Sequence, residues 1–136
     1  MNKIIKVLVI LPLTLLLFAC GMTSTTSEYL DLDYSDFNGQ FIEVTDEQLS
    51  MPETDYYIYY YGPSCGACNE IKPILLDRLY RAKSTTIYFV TVFSINDLHP
   101  DSGVNGTPTI IRVTDNQVTE FYEGATSILG MLGQIN

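Results

Sequence analysis

The chain has 136 residues, with 16 Asp+Glu against 7 Lys+Arg and a formal net charge of −9. That length suits one domain with a real core and not two. An acidic surface repels phosphate backbones, so nucleic acid is not an expected partner.

The first segment reads as an address rather than as fold. Lys3 and Lys6 form a short positive region, and Val7 to Phe18 is an apolar run interrupted only by Pro12 and Thr14. The run matches the core of a secretory signal and is short for a bilayer span. It ends in Leu17-Phe18-Ala19-Cys20, which resembles the bacterial lipobox: an aliphatic residue three before the cysteine and a small one directly before it. The resemblance implies that residues 1–19 are a lipoprotein signal peptide and that Cys20 carries a diacylglyceryl group. Two acyl chains hold a protein stably at a membrane where one does so only marginally. An ordinary cleavable signal with a chance cysteine and an uncleaved anchor are the competing readings. Either secretory reading puts the domain on the extracytoplasmic side of the cell membrane, where disulfides persist.

Gly21 to Ser27 is small and polar and reads as a flexible tether. Between Lys6 and Lys72 there is no Lys or Arg, while Glu28, Asp31, Asp33, Asp36, Glu43, Asp46, Glu47, Glu53 and Asp55 fall in that gap. Glu28 to Asn38 either continues the tether or packs on the domain. The expected organisation is residues 1–19 as signal peptide, 20–38 as lipidated cysteine and acidic tether, and 39–136 as the folded domain.

Phe41 to Val44 is a short strand candidate. Thr45 and Gln48 have the spacing of a capping box and predict a short helix, stopped at Met51-Pro52. Tyr56 to Tyr61 is a continuous apolar and aromatic run, as expected of a buried central strand. Gly62-Pro63 ends it. Ile71, Leu75 and Leu79 then repeat at helical spacing, predicting an amphipathic helix from Cys65 to about Lys83-Ser84, capped by Ser64 and kinked at Pro73. Thr86 to Phe93 is a second buried strand. Ser94 to Asn105 is loop with room for one helical turn, and His99 within it reads as an exposed loop residue. Thr109 to Val113 and Val118 to Tyr122 form a hairpin about Asp115-Asn116. Ala125 to Ile135 is a short closing helix. The order predicts an α/β fold: a mixed sheet, parallel in one half and antiparallel in the other, with helices on both faces.

Cys65 and Cys68 carry the chemistry. Two cysteines three apart at a helix start lie on one face, within reach of a disulfide. The helix N-terminus stabilises a thiolate, most strongly at the first cysteine. Cys65 is the expected nucleophile and Cys68 the resolving thiol. A metal site would need two more ligands, but the remaining cysteine is Cys20 and the one histidine is His99. Neither a metal nor a cofactor is expected. A purely structural bridge across so small a loop is a weak staple.

These residues resemble the thioredoxin superfamily. Cys65-Gly66-Ala67-Cys68 is similar to the family's Cys-Gly-Pro-Cys, Pro73 to its helix-kinking proline, and Gly124 to the glycine after its hairpin. Val104-Asn105-Gly106-Thr107-Pro108-Thr109-Ile110 resembles the segment that sets a cis-proline beside the active site. The resemblance implies a thioredoxin-like fold and a redox-active Cys65–Cys68 disulfide. It also implies a cis Thr107–Pro108 bond whose backbone binds an extended substrate segment; the plain alternative is a trans proline opening the next strand. Protein thiols and disulfides are the implied substrates, of either a reductase fed by a membrane electron carrier or an oxidase that installs disulfides. A non-catalytic accessory module of an export or surface system, binding a partner peptide, is the alternative. Three positions depart from the pattern. Tyr59 stands where the family carries a buried acid, and Ser64 and Tyr61 stand where it carries tryptophans. Nor is there a His between the cysteines, which argues for a reducing rather than an oxidising site.

Overall fold

In the computed structural model, which describes residues 28–135, the aromatic run forms strand β1 (Asp55–Tyr61). It lies inside a four-stranded sheet of order β2-β1-β3-β4. β2 (Ile87–Thr91) pairs with it in parallel, and β3 (Thr109–Thr114) pairs antiparallel on the other side. A parallel neighbour needs a crossover, supplied by helix α1 (Gly66–Arg81). β3 returns antiparallel to β4 (Gln117–Glu123) through Asp115 and Asn116, whose φ values of 50° and 63° suit a tight hairpin turn. Helix α2 (Gly124–Leu132) follows. No helix among the described residues is long and apolar enough to cross a membrane.

Alternation along β1 divides the core in two. Tyr59 and Tyr61 face a cluster with Ile71, Leu75 and Leu76 of α1 and Ile128 and Leu132 of α2. Tyr56, Ile58 and Tyr60 face a second cluster with Ile42, Leu98, Val104 and Ile111. A strand buried on both faces has no polar side to show, which is why its sequence is continuous rather than alternating. Both α-helices lie on one face. The expectation of helices on both faces is corrected here, because the other face is covered by non-helical chain and short 3₁₀ turns.

The reason lies in residues 40–48. The strand expected at Phe41–Val44 is a single parallel bridge from Phe41 to Phe89. The helix expected at Thr45 is one 3₁₀ turn, Thr45–Glu47, and no side chain caps it. Gln48 turns inward instead and is 1% exposed. Its Nε2 donates to the Asp97 carbonyl at 2.6 Å, and its Oε1 accepts from the Tyr60 hydroxyl at 3.0 Å and the His99 N–H at 2.9 Å. Three long-range partners, of which the Tyr60 hydroxyl is fully buried, outweigh one local cap. His99 is half-buried rather than an exposed loop residue: its Nδ1 accepts from the Asp101 N–H at 3.1 Å and caps the 3₁₀ turn Pro100–Ser102.

The open choice for Glu28–Asn38 resolves to packing. Phe37 is buried, and Leu32 and Tyr34 pack on the helical-face cluster. The Leu30 N–H donates to Asp77 at 3.2 Å, and Lys72 meets Asp33 at 2.7 Å. The stretch from Leu30 to Phe37 is therefore a strap on the domain, not a tether. Cys20 and the rest of residues 1–27 lie outside the described residues.

Replacing Gln48 with Ala leaves the Tyr60 hydroxyl, the His99 N–H and the Asp97 carbonyl without their partner. At ~1–3 kcal/mol per unsatisfied buried group, partly relieved by relaxation, Gln48→Ala is expected to lower unfolding free energy by about 3 kcal/mol. Urea denaturation at constant slope measures it; a loss under about 0.5 kcal/mol would mean that solvent replaces the side chain.

Candidate active site

β1 ends at Tyr61 and the chain turns at Gly62-Pro63, closed by the Cys65 N–H donating to the Gly62 carbonyl at 3.1 Å. This turn leaves Cys65 extended, at φ −83° and ψ 106°, as the N-cap of α1. Its Sγ accepts the Cys68 N–H at 3.0 Å, and its carbonyl accepts the Asn69 N–H at 3.1 Å. Ser64, expected as the cap, is exposed instead; the tight turn carries the capping geometry one residue further on. Cys65 and Cys68 are joined as a disulfide with Cα atoms 5.2 Å apart. Cys65 is half-buried and Cys68 is 1% exposed, so only the first sulfur lies toward solvent.

Thr107–Pro108 is cis. Two contacts fix this segment at the start of β3. The Pro108 carbonyl accepts the Gly124 N–H at 2.9 Å, and the Thr109 hydroxyl donates to the Gly106 carbonyl at 2.8 Å. Gly124 has φ +79°, a conformation that strains any residue with a Cβ. Gly62 matters for closeness. A Cβ there would sit 3.3 Å from the Val92 carbonyl oxygen, 3.4 Å from Thr107 Oγ1 and 3.6 Å from Cys65 Cβ. Its bare backbone lets Thr107 and Cys65 share one open pocket of about 300 Å³, with Val92 and Phe93 on the far wall. The sequence-derived residues Cys65, Cys68, Thr107 and Pro108 are thus brought together. His99 caps its own turn away from this pocket.

Behind the disulfide lies a tyrosine layer. Tyr34 of the strap stacks on Tyr61 with ring centroids 4.0 Å apart, and its ring also meets Tyr59 at 6.4 Å. Lys72 Nζ lies 4.8 Å from the Tyr34 ring centroid, a cation–π contact. The hydroxyls of Tyr34 and Tyr59 are buried close to each other, and neither makes a well-formed hydrogen bond among the described residues. Burial holds both neutral: the Tyr34 hydroxyl is pushed up to about 12, and Tyr59, which is fully buried, is pushed higher. Sequence reasoning missed this layer. The available signal was Tyr34 and Phe37, three apart within an otherwise acidic stretch. Among the described residues no three His, Cys, Asp or Glu side chains converge to hold a metal.

A family model described as Thioredoxin matches residues 41–135. No curated protein matches the chain. Among solved structures, the oxidised thioredoxin of Plasmodium falciparum superposes with a TM-score of 0.58 at 13% identity, over 70% of this chain and 95% of that one. The thioredoxin of Trypanosoma brucei brucei gives 0.57 at 18% identity, over 69% and 83%. That of Malassezia sympodialis gives 0.52 at 17%, over 71% and 89%. At these identities the likeness is one of fold.

The tyrosine layer has a pH consequence. A tyrosine whose pKa is higher folded than unfolded favours the fold while neutral. Its contribution is intact below its ordinary value of 10 and lost as pH rises through about 12 for Tyr34. Tyr34→Phe should leave stability at pH 7 within about 1 kcal/mol of wild type, since an unpartnered hydroxyl adds desolvation cost and no bond. It should also make the alkaline loss of stability shallower. Urea titrations across that range measure both; an unchanged alkaline slope would show that Tyr34 ionises as it does in solvent.

Proposed function

The chain belongs to the thioredoxin family, and we propose that it is a lipid-anchored, extracytoplasmic thiol–disulfide oxidoreductase acting on protein disulfides through Cys65 and Cys68. The observation that carries the reading is the placement of Cys65. Its sulfur caps α1, 3.0 Å from the Cys68 N–H, at the mouth of a pocket that Thr107 shares.

In the reduced pair, that N–H and the positive end of α1 favour the Cys65 thiolate. The Cys65 sulfur attacks one sulfur of a substrate disulfide. A new S–S bond forms, the substrate bond breaks, and the departing sulfur leaves as a thiolate that takes a proton from water. The Cys68 thiol then loses its proton and attacks Cys65 Sγ. The Cys65–Cys68 bond forms, and the second substrate sulfur leaves as a thiolate. Two electrons pass from the pair to the substrate; the reverse sequence oxidises a substrate dithiol. The Thr107 backbone offers the edge against which an extended substrate segment lies. Tyr59, held neutral by burial, is no proton acceptor, so water takes the Cys68 proton. A membrane electron carrier is the proposed source of electrons for a reductase in this position.

The anchoring part of the reading rests on Lys3, Lys6, the Val7–Phe18 run and Leu17-Phe18-Ala19-Cys20. It places the lipid on Cys20 after removal of residues 1–19.

Cys65→Ser is expected to abolish exchange with a model protein disulfide. Cys68→Ser is expected to accumulate a mixed disulfide at Cys65, visible as an adduct by mass spectrometry under non-reducing conditions. A wild-type protein that neither reduces nor oxidises the substrate would sink the redox reading.

Cys20→Ala is expected to move the protein from the membrane fraction and to abolish incorporation of labelled palmitate. If the variant stays membrane-bound at wild-type levels, the lipid anchor is wrong.

A further inference from the structure

β2 is an edge strand of the sheet. The Tyr57 N–H donates to the Thr86 carbonyl at 2.9 Å, and the Val92 N–H to the Tyr61 carbonyl at 2.7 Å. Even-numbered residues therefore turn their main chain toward β1, and Ile87, Phe89 and Thr91 turn theirs outward. Gln40 and Ile42 satisfy Phe89: its N–H donates to the Gln40 carbonyl at 2.7 Å, and its carbonyl accepts the Ile42 N–H at 3.0 Å. Gln40 Nε2 covers the Ile87 carbonyl at 2.9 Å. The chain then leaves the edge. Glu43 and Val44 lead into the 3₁₀ turn, and the Thr45 hydroxyl reaches over to the Asn96 carbonyl at 3.1 Å. Among the described residues, nothing pairs with the outward main chain of Thr91.

The space left there is a groove of about 350 Å³ between residues 41–48 and 90–97. It is bordered by exposed apolar side chains: Phe93 is 78% exposed and Phe41 37%, with Ile95 and Val44 exposed beside them. Glu43 and Asp97 line it, Asp46 and Glu47 flank it, and neither bordering segment contains a Lys or Arg. The Asp97 carboxyl accepts the Ser94 and Phe93 N–H groups, which hold it below the usual carboxylate range and keep it charged. Phe93 also walls the pocket at Cys65, so groove and disulfide share a side chain.

We propose that this groove docks an extended segment of the polypeptide substrate, with alternating apolar residues flanked by lysine or arginine. The segment continues the sheet by pairing with the Thr91 N–H and carbonyl. One apolar side chain seats between Phe41 and Phe93, and the flanking cations meet Glu43 and Asp97. An open edge with apolar walls selects an extended apolar strand, and the uniformly negative surround selects its basic flanks. That the segment belongs to a disulfide substrate rests on the redox reading above; the docking itself does not.

The test uses the full-length chain and short fluorescent peptides without cysteine. One has a central Phe between alternating Val and Thr with lysines at both ends; the other carries glutamates in place of the lysines. The lysine peptide is expected to bind at least about tenfold more tightly, a preference that shrinks as salt is raised. Glu43→Gln is expected to weaken the lysine peptide alone, and Phe41→Ser to weaken both, each with an unchanged circular dichroism spectrum. Equal affinity for the two peptides, absence of binding, or variants that bind as wild type would overturn the proposal. Exchange with glutathione disulfide on the same samples tests the redox reading separately, because the peptides have no sulfur to exchange.

Discussion

Tyr57 to Tyr61 are in register with Ile87 to Thr91 on one side, and Asp55 to Tyr60 with Thr114 to Thr109 on the other. β1 is thus fixed along both edges, and its side chains are packed on both faces. Everything at the site is measured from its end. The turn at Gly62 begins where β1 stops, so the height of Cys65 above the sheet is set by main-chain pairing rather than by loop contacts. Thr107 and Pro108 precede β3, whose register is fixed against the same strand. Cys65 and Thr107 lie over forty residues apart in sequence, yet each is anchored to β1 within a few residues, and Gly62 removes the atom that would hold them apart.

The two faces of β1 handle buried hydroxyls in opposite ways. On the face without α-helices, the Tyr56 hydroxyl donates to the Gln48 carbonyl at 3.1 Å and the Tyr60 hydroxyl to Gln48 Oε1 at 3.0 Å, so one residue ties the strand to the chain that covers it. On the α-helical face, Tyr59 and Tyr34 bury hydroxyls that make no well-formed hydrogen bond among the described residues. Each unpartnered hydroxyl costs of order 1–3 kcal/mol, but stacking and ring burial in the same layer offset part of that. The result is a nonpolar, uncharged wall behind Cys68. A thiol there is disfavoured as a thiolate by desolvation, while Cys65 at the helix end is favoured as one. The helix end acting on Cys65 and burial acting on Cys68 together make the difference that the proposed roles of nucleophile and resolving thiol require.

Much of this was legible in the residues. β1, α1 and the β3–β4 hairpin were readable because period and turn chemistry agree: a continuous aromatic run, apolar residues at helical spacing, and Asp115-Asn116 where positive φ is needed. Cys65 and Cys68 could be placed at the strand–helix junction from the pattern, and Thr107–Pro108 beside them from the resemblance to the thioredoxin superfamily. The chain from residue 28 to 48 was not legible. Its local signals, a capping pair at Thr45 and Gln48 and acidic residues throughout, concern exposed chain. What decides its structure is long-range: Gln48 reaches Tyr60, Asp97 and His99, and Tyr34 reaches Tyr61. Capping and propensity are worth tenths of a kcal/mol to about one, less than satisfying one buried and two part-buried groups together.

That failure has a structural consequence at the sheet edge. Had Phe41–Val44 formed the expected strand, it would have paired past Phe89 and covered Thr91. Gln48 prevents this, because burying its amide pulls the chain away from the edge after Ile42 and into the turn at Thr45. The same contact that secures the non-helical face therefore leaves β2 with an open register position, next to Phe93 and in an acidic surround. An unpaired edge is ordinarily an aggregation hazard, and proteins blunt it with charge. Here Glu43 and Asp97 supply that charge in one sign only. That single sign repels another acidic surface and attracts a basic extended one, which is the selectivity the proposed docking requires.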